Sequence, residues 1–188
     1  MCRNICLGLK GARSSINVIP SAVEESRGAT YGNFAGCLDS ARHDQAIMSS
    51  KIVTREFCID DYDAALQLWQ RVEGLEVAEG DDKKGVAQFL ARNPGLSRVA
   101  IDGSTVVGVA MCGHDGRRGY IYHVAVDPDY RRYGLGKRLV QECLDELRQA
   151  GVMRALILVA DYNLGGAEFW KRAGWEDIPG AVAMGIDV

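Results

Sequence analysis

Arg131, Arg132, Gly134, Gly136, Lys137 and Arg138 fall within eight consecutive residues, Arg-Arg-Tyr-Gly-Leu-Gly-Lys-Arg, and together they describe a site for an anion. An apolar run, Val124-Ala-Val126, breaks at Pro128, and strong helical periodicity begins just after the glycines. A turn of this kind, from strand to helix, leaves backbone N–H groups without intrahelical acceptors, and the helix dipole adds positive potential there. Glycines let a bulky anion approach the main chain closely. Four basic side chains at the same place fit a di- or polyphosphate. Two familiar phosphate loops do not fit. A Walker A loop needs Gly-x4-Gly-Lys-Ser/Thr, whereas Arg131 stands at the first glycine position and Arg138 at the Ser/Thr position. A dinucleotide fingerprint needs three glycines in the first βαβ unit, and this turn has two and follows hairpins.

The elements that must hold this turn are legible from residue 52 onward. Ile52–Phe57 reads as a strand. Asp60, Asp61 and Asp63 suit a helix start, and Ala65, Leu68, Trp69 and Val72 form its apolar stripe. A polar connection over 73–82 leads to a second helix with Val86, Phe89 and Leu90 inward, stopped by Asn93-Pro94-Gly95. Arg98–Ile101 and Thr105–Cys112 flank Asp102-Gly103, a hairpin signal, and a looser turn over 113–119 feeds the strand Tyr120–Val126. The turn then opens a helix over 134–150, ended by Gly151. Ala155–Ala160 is apolar on both faces and predicts a central, buried, parallel strand. A short helix (Gly166–Ala173) and a last strand (Ala181–Ile186) complete an α/β fold, mixed in the α+β sense. There is no internal repeat.

Composition narrows the function classes. The chain has 188 residues, a net charge of -3 and 47% hydrophobic residues, which suits one globular domain. No basic face dominates, so nucleic acid is not expected as a partner. No apolar run reaches the ~20 residues of a membrane span, and the first ten residues lack a signal-peptide core. The expected location is cytoplasmic, with no membrane partner. Of six cysteines, Cys112 and Cys143 sit in apolar-periodic segments, and Cys2 and Cys6 have no second pair to complete a zinc site. No metal is expected. Residues 1–47 lack useful periodicity and are expected to be a disordered or dispensable extension, with Met48 as an alternative start and 48–188 as the functional domain.

The motif Arg131-x-x-Gly134-x-Gly136, after a strand ending Val124-x-Val126-x-Pro128, resembles that of the GNAT superfamily of acyl-CoA-dependent N-acetyltransferases. The likeness extends to Gly119–Val126 before it and to Asn163 and Ala167–Trp175 after it, and covers about residues 51–188. It implies the GNAT acyl-CoA N-acyltransferase fold, with splayed central strands and flanking helices. It implies acetyl-CoA as co-substrate and acetyl transfer to a primary amine of a small molecule or protein by direct attack. Main-chain amides across Arg132, Tyr133, Gly134, Leu135, Gly136 and Lys137, with Arg131 opening the motif, would hold the pyrophosphate. A bulged strand would offer backbone groups of Val124, Ala125 and Val126 to the pantetheine arm and the thioester carbonyl. Asn163 would face the arm from the other side. The family often protonates the leaving thiolate with a Tyr in the last short helix, and here that position is Trp170. An indole N–H donates a hydrogen bond but does not transfer a proton near neutral pH. Tyr162 and Tyr133 are the nearby phenols. His123 offers a base, against a competing reading as a packed histidine between Ile121 and Ala125. Glu73, Glu76 and Glu79 lie on the connection that lines the acceptor pocket in the family. A non-catalytic acyl-CoA-binding or sensing module of the same fold is the alternative that Trp170 keeps open. Family members often dimerise, so a homodimer is one assembly the likeness allows.

Overall fold

A computed structural model describes residues 51–186. The expectation for residues 1–47 lies outside them. Five strands, β1 (Val53–Glu56), β2 (Arg98–Asp102), β3 (Thr105–His114), β4 (Gly119–Val126) and β5 (Ala155–Leu156), form one sheet in sequence order. The first four are antiparallel to their neighbours, and β5 runs parallel to β4. Helices α1 (Tyr62–Arg71) and α2 (Lys83–Arg92) cover one face, while α3 (Leu135–Gln149) covers the other, with α4 (Leu164–Arg172) packed beside it.

Each face buries the stripe its sequence offers. Ala65, Leu68 and Trp69 of α1 pack with Val86, Val99, Val109 and Ala125. On the other side Leu135, Leu139, Val140, Cys143 and Leu147 of α3 pack on Val107, Ala110, Cys112 and Ile121. Strand β3 feeds both clusters, which is why it reads as a continuous apolar run. Helix α3 lies so close to the sheet that a Cβ on Gly119 would stand 2.5 Å from Leu147 Cδ1, so a larger residue there would have to displace Leu147.

The entry to α1 is set by Asp61. It accepts from the Cys58 N–H at 3.0 Å, and Arg55 grips both of its oxygens at 2.7 Å. Burial pushes its pKa up, but the Arg55 guanidinium and the Cys58 N–H pull harder, and the carboxyl ends below its ordinary value. A depressed folded-state value means stability that is present above about pH 4 and is lost as pH falls below it. Asp61→Asn is expected to cost about 1–3 kcal/mol at neutral pH. It should also flatten the acid side of the stability profile, as read by urea melts from pH 7 down to 3.

Three expectations for the C-terminal third are corrected. Ala155–Ala160 is not a central strand: β5 pairs only at Gly119↔Ala155 and Tyr120↔Leu156, and it forms the sheet edge. Leu158 is 78% exposed, Ile157 packs on the margin of the α3-side core, and residues 157–160 together line a cleft. Ala181–Ile186 is not a strand, and Val182, Met184 and Ile186 lie exposed, because no sheet edge takes up the segment. The short helix begins at Leu164, two residues early, because Asn163 rather than a glycine caps it.

Candidate active site

The β3–β4 ladder slips by one residue between Val109↔Ala125 and Met111↔Tyr122, so His123 and Val124 together face Ala110. That is a β-bulge, and His123 adopts φ +46°, a left-handed conformation that His visits more readily than most residues. The bulge reverses the alternation of the strand. Ile121 lies in the α3 core and Ala125 in the α1 core, so the two no longer share a face, and His123 lies on the α1 side with Ala125. Since the β4–β5 pairs end at Tyr120, the edge of β4 facing β5 has no partner strand from Ile121 to Val126 among the described residues. A cleft of about 260 Å³ opens there. Its walls are Val72–Glu76 from the α1–α2 connection, Ile121–Val124, residues 157–160, and Tyr162, Asn163 and Trp170.

Strand β4 runs from this cleft straight into the basic turn. Asp127 fixes the junction: its N–H donates to Val107 O at 3.0 Å, its Oδ1 accepts from Asp129 N at 3.1 Å, and its Oδ2 pairs with Arg71 at 3.1 Å. Tyr130 closes a 3₁₀ turn and donates its hydroxyl to Asp102 Oδ2 at 2.9 Å, tying the turn to the β2–β3 hairpin. Arg132 (φ +66°) and Gly134 (φ +76°) are both left-handed, a local geometry that gathers successive N–H groups into a concave anion nest. The first intrahelical bond of α3 is Arg138 N–H to Gly134 O at 3.0 Å, so the amides of Leu135, Gly136 and Lys137 lie ahead of it. With the Leu135 side chain buried, that residue can offer a ligand its backbone only. A Cβ on Gly136 would stand 3.3 Å from Phe169 of α4. Tyr133 lines a smaller hollow of about 210 Å³ with Ile52, Gly134, Leu135 and Arg138.

The basic side chains divide. Lys137 is exposed at the turn. Arg131 folds back, its Nε donating to Val126 O at 3.1 Å, so this carbonyl already has a partner. Arg138 departs from the sequence expectation: it donates to Ile52 O, Thr54 Oγ1 and Glu142, and serves to clamp β1 to α3.

Around the cleft, Val124 is in the wall, whereas the Ala125 side chain is wholly buried against α1. Asn163 lines the cleft but is committed on both sides. Its Oδ1 caps α4 through Gly166 N at 2.8 Å, and its Nδ2 donates to Gly74 O at 3.0 Å. Tyr162 donates its hydroxyl to Glu76, and this bond, foremost, raises the phenol pKa above its ordinary value. Trp170 meets Phe169 and Trp175 edge to face, at 5.1 and 5.0 Å, with one side toward the cleft. Glu73 and Glu76 line the cleft; Glu79 does not. Tyr122 stacks with Tyr120 at 6.0 Å, and burial pushes its phenol up. His123 lies against Trp69 with ring centroids 4.8 Å apart, and its Nε2 is 2.8 Å from Asp81 Oδ1. Asp81 is the residue that sequence reasoning missed, being 42 positions from His123 on a connection that carries no motif. Among the described residues, no group of His, Cys, Asp or Glu could hold a metal ion, and no helix is long and apolar enough to cross a membrane.

Fold and site together define a class of protein: a mixed α/β sheet split at a bulged strand, whose open edge ends at a basic turn with left-handed backbone. The profile of the Acetyltransferase (GNAT) family matches residues 60–175. An acetyltransferase of Yersinia pseudotuberculosis is 32% identical over 122 residues, covering 65% of this chain and 86% of the relative. Another, from Pectobacterium atrosepticum, is 28% identical over 124 residues, covering 66% and 87%. Among solved structures, the PaiA N-acetyltransferase of Thermoplasma acidophilum in complex with coenzyme A superposes with a TM-score of 0.60 at 19% identity, covering 69% of this chain and 93% of that one. Ard1 of Thermoplasma volcanium gives 0.59 at 21% identity, covering 66% and 82%. The chain belongs to the GNAT family of acetyltransferases.

Proposed function

We propose that this chain transfers the acetyl group of acetyl-CoA to a primary amine by direct attack within the β4–β5 cleft. The observation that carries the reading is the continuity of the unpaired β4 edge, Ile121–Val126, with the left-handed turn at Arg132 and Gly134. An extended pantetheine arm completes such an edge as an added strand would. The pyrophosphate then meets the amides that precede the first bond of α3, with Arg132 and Lys137 alongside. These residues suit the co-substrate: the turn offers N–H donors in a concave array and holds no carboxylate between Tyr130 and Arg138. Coenzyme A in the related PaiA structure supports the same assignment.

Acetyl transfer requires that RNH₃⁺ lose a proton, that nitrogen attack the carbonyl carbon, and that the carbon–sulfur bond break. Of the two protons leaving nitrogen, one ends on sulfur and one in solvent. A backbone N–H at Val124 or Val126 on the open edge would stabilise the developing oxyanion. His123, in the cleft wall, is the base that takes the first proton. For the second transfer, Trp170 occupies the usual acid position and supplies no proton. Tyr162 holds its proton toward Glu76, so the thiolate takes its proton from solvent or through Tyr162. The acceptor is a small-molecule or protein amine, and two carboxylates in a cleft wall without lysine or arginine suit a cation. A panel of small amines and lysine-bearing peptides incubated with acetyl-CoA tests this, with mass spectrometry identifying the acetylated product.

Trp170 also favours a second reading, an acyl-CoA-binding module without turnover. That reading predicts thermal stabilisation by acetyl-CoA with no acetylated amine, and no gain of activity in Trp170→Tyr.

A further inference from the structure

We propose that Asp81 is a positioning residue for His123, fixing which imidazole nitrogen faces the acceptor amine. The inference rests on the reading of His123 as the base. Asp81 is itself held rigidly. Its Oδ2 accepts from Ala78 N–H at 2.8 Å, and its carbonyl accepts from the Tyr62 hydroxyl of α1 at 2.9 Å. Its Oδ1 is left to meet His123 Nε2 at 2.8 Å, with both side chains largely buried at 16% and 18% exposure. A carboxylate only accepts, so the shared proton sits on Nε2 and the lone pair on Nδ1. Trp69, 4.8 Å away ring to ring, supplies the floor against which the imidazole cannot tip. The bulge at His123 turns the ring out of the strand alternation and onto this floor.

The proton balance is simple. RNH₃⁺ gives one proton to Nδ1, the imidazolium keeps Nε2–H toward Asp81, and the neutral amine attacks. Asp81 takes no proton and touches no substrate. The other titratable groups around the cleft are Glu73 and Glu76 from the same connection, Tyr122 from β4, and Tyr162 ahead of α4, with no lysine or arginine in the lining.

Two measurements on the full chain test this. In the wild type, nitrogen NMR of the neutral His123 imidazole should show Nε2 protonated and Nδ1 bare; the opposite tautomer overturns the proposal. In Asp81→Asn, kcat/KM for an accepted amine should fall about 10- to 100-fold. The KM for acetyl-CoA should hold, and Asp81→Glu should recover part of the rate. A loss that follows the melting temperature and is not recovered by Asp81→Glu overturns the proposal, as does an unchanged rate. Wild-type protein that acetylates no amine overturns the acetyl-transfer reading instead, whichever tautomer is found.

Discussion

Gly134→Asp is expected to raise the KM for acetyl-CoA about 100-fold while leaving the fold intact. Gly134 is the N-cap of α3 and sits at φ +76°, and a Cβ there would meet no atom within 4 Å. Asp is a favoured N-cap and enters left-handed conformations more readily than most residues, so the helix should survive. The damage is electrostatic. A carboxylate about 4 Å from a phosphate oxygen, at an effective dielectric near 20, is repelled by about 4 kcal/mol, and salt reduces this to about 2–3 kcal/mol. That energy corresponds to about 30- to 150-fold in affinity. Gly134→Asn has the same shape without the charge and should lose no more than about fivefold, the scale of a strained backbone alone. Steady-state kinetics with acetyl-CoA varied, beside a melting curve for each variant, separates the two contributions. Equal losses in both variants would mean that the turn matters for its shape and not for an anion.

His123→Asn should lower kcat about 10²- to 10⁴-fold at saturating acetyl-CoA, the range set by removal of a general base. Asn is chosen because position 123 is left-handed at φ +46°, a conformation in which Asn is at home and β-branched residues are not. Acetyl-CoA binding should persist, because the anion turn begins several residues further along. An unchanged kcat would return His123 to the role of a packed ring on Trp69 and leave the proton to solvent.

The sequence made the anion turn legible because everything that builds it is local. Gly134, Gly136, Pro128 and the onset of α3 periodicity lie within a dozen residues, and hairpins announced themselves through Asp102-Gly103. What escaped was long-range. The apolar run 155–160 reads as a central strand, since composition does not reveal that one apolar wall faces a cleft. The bulge inverts the alternation on which His123 was placed between Ile121 and Ala125, and no single residue signals it. Arg138 reads as an anion ligand by proximity, yet its reach to Ile52 and Thr54 across 84 to 86 positions makes it a strut. Asn163 was placed at the cleft by resemblance, but its cap on α4 and its bond to Gly74 depend on where the α1–α2 connection passes. Asp81 meets His123 across 42 positions, a contact set by the path of that connection and by no local motif.

In the proposed reaction the cleft moves an acetyl group from the thioester held along β4 to an amine beside His123. The most direct measurement is the release of free CoA thiol from acetyl-CoA with and without primary amines, followed colorimetrically across a panel of monoamines, diamines and peptides. Acetyl transfer in this cleft predicts thiol release that saturates with at least one amine and that Gly134→Asp and His123→Asn both suppress. Binding of acetyl-CoA with thiol release no faster than its hydrolysis, whatever amine is added, would contradict it.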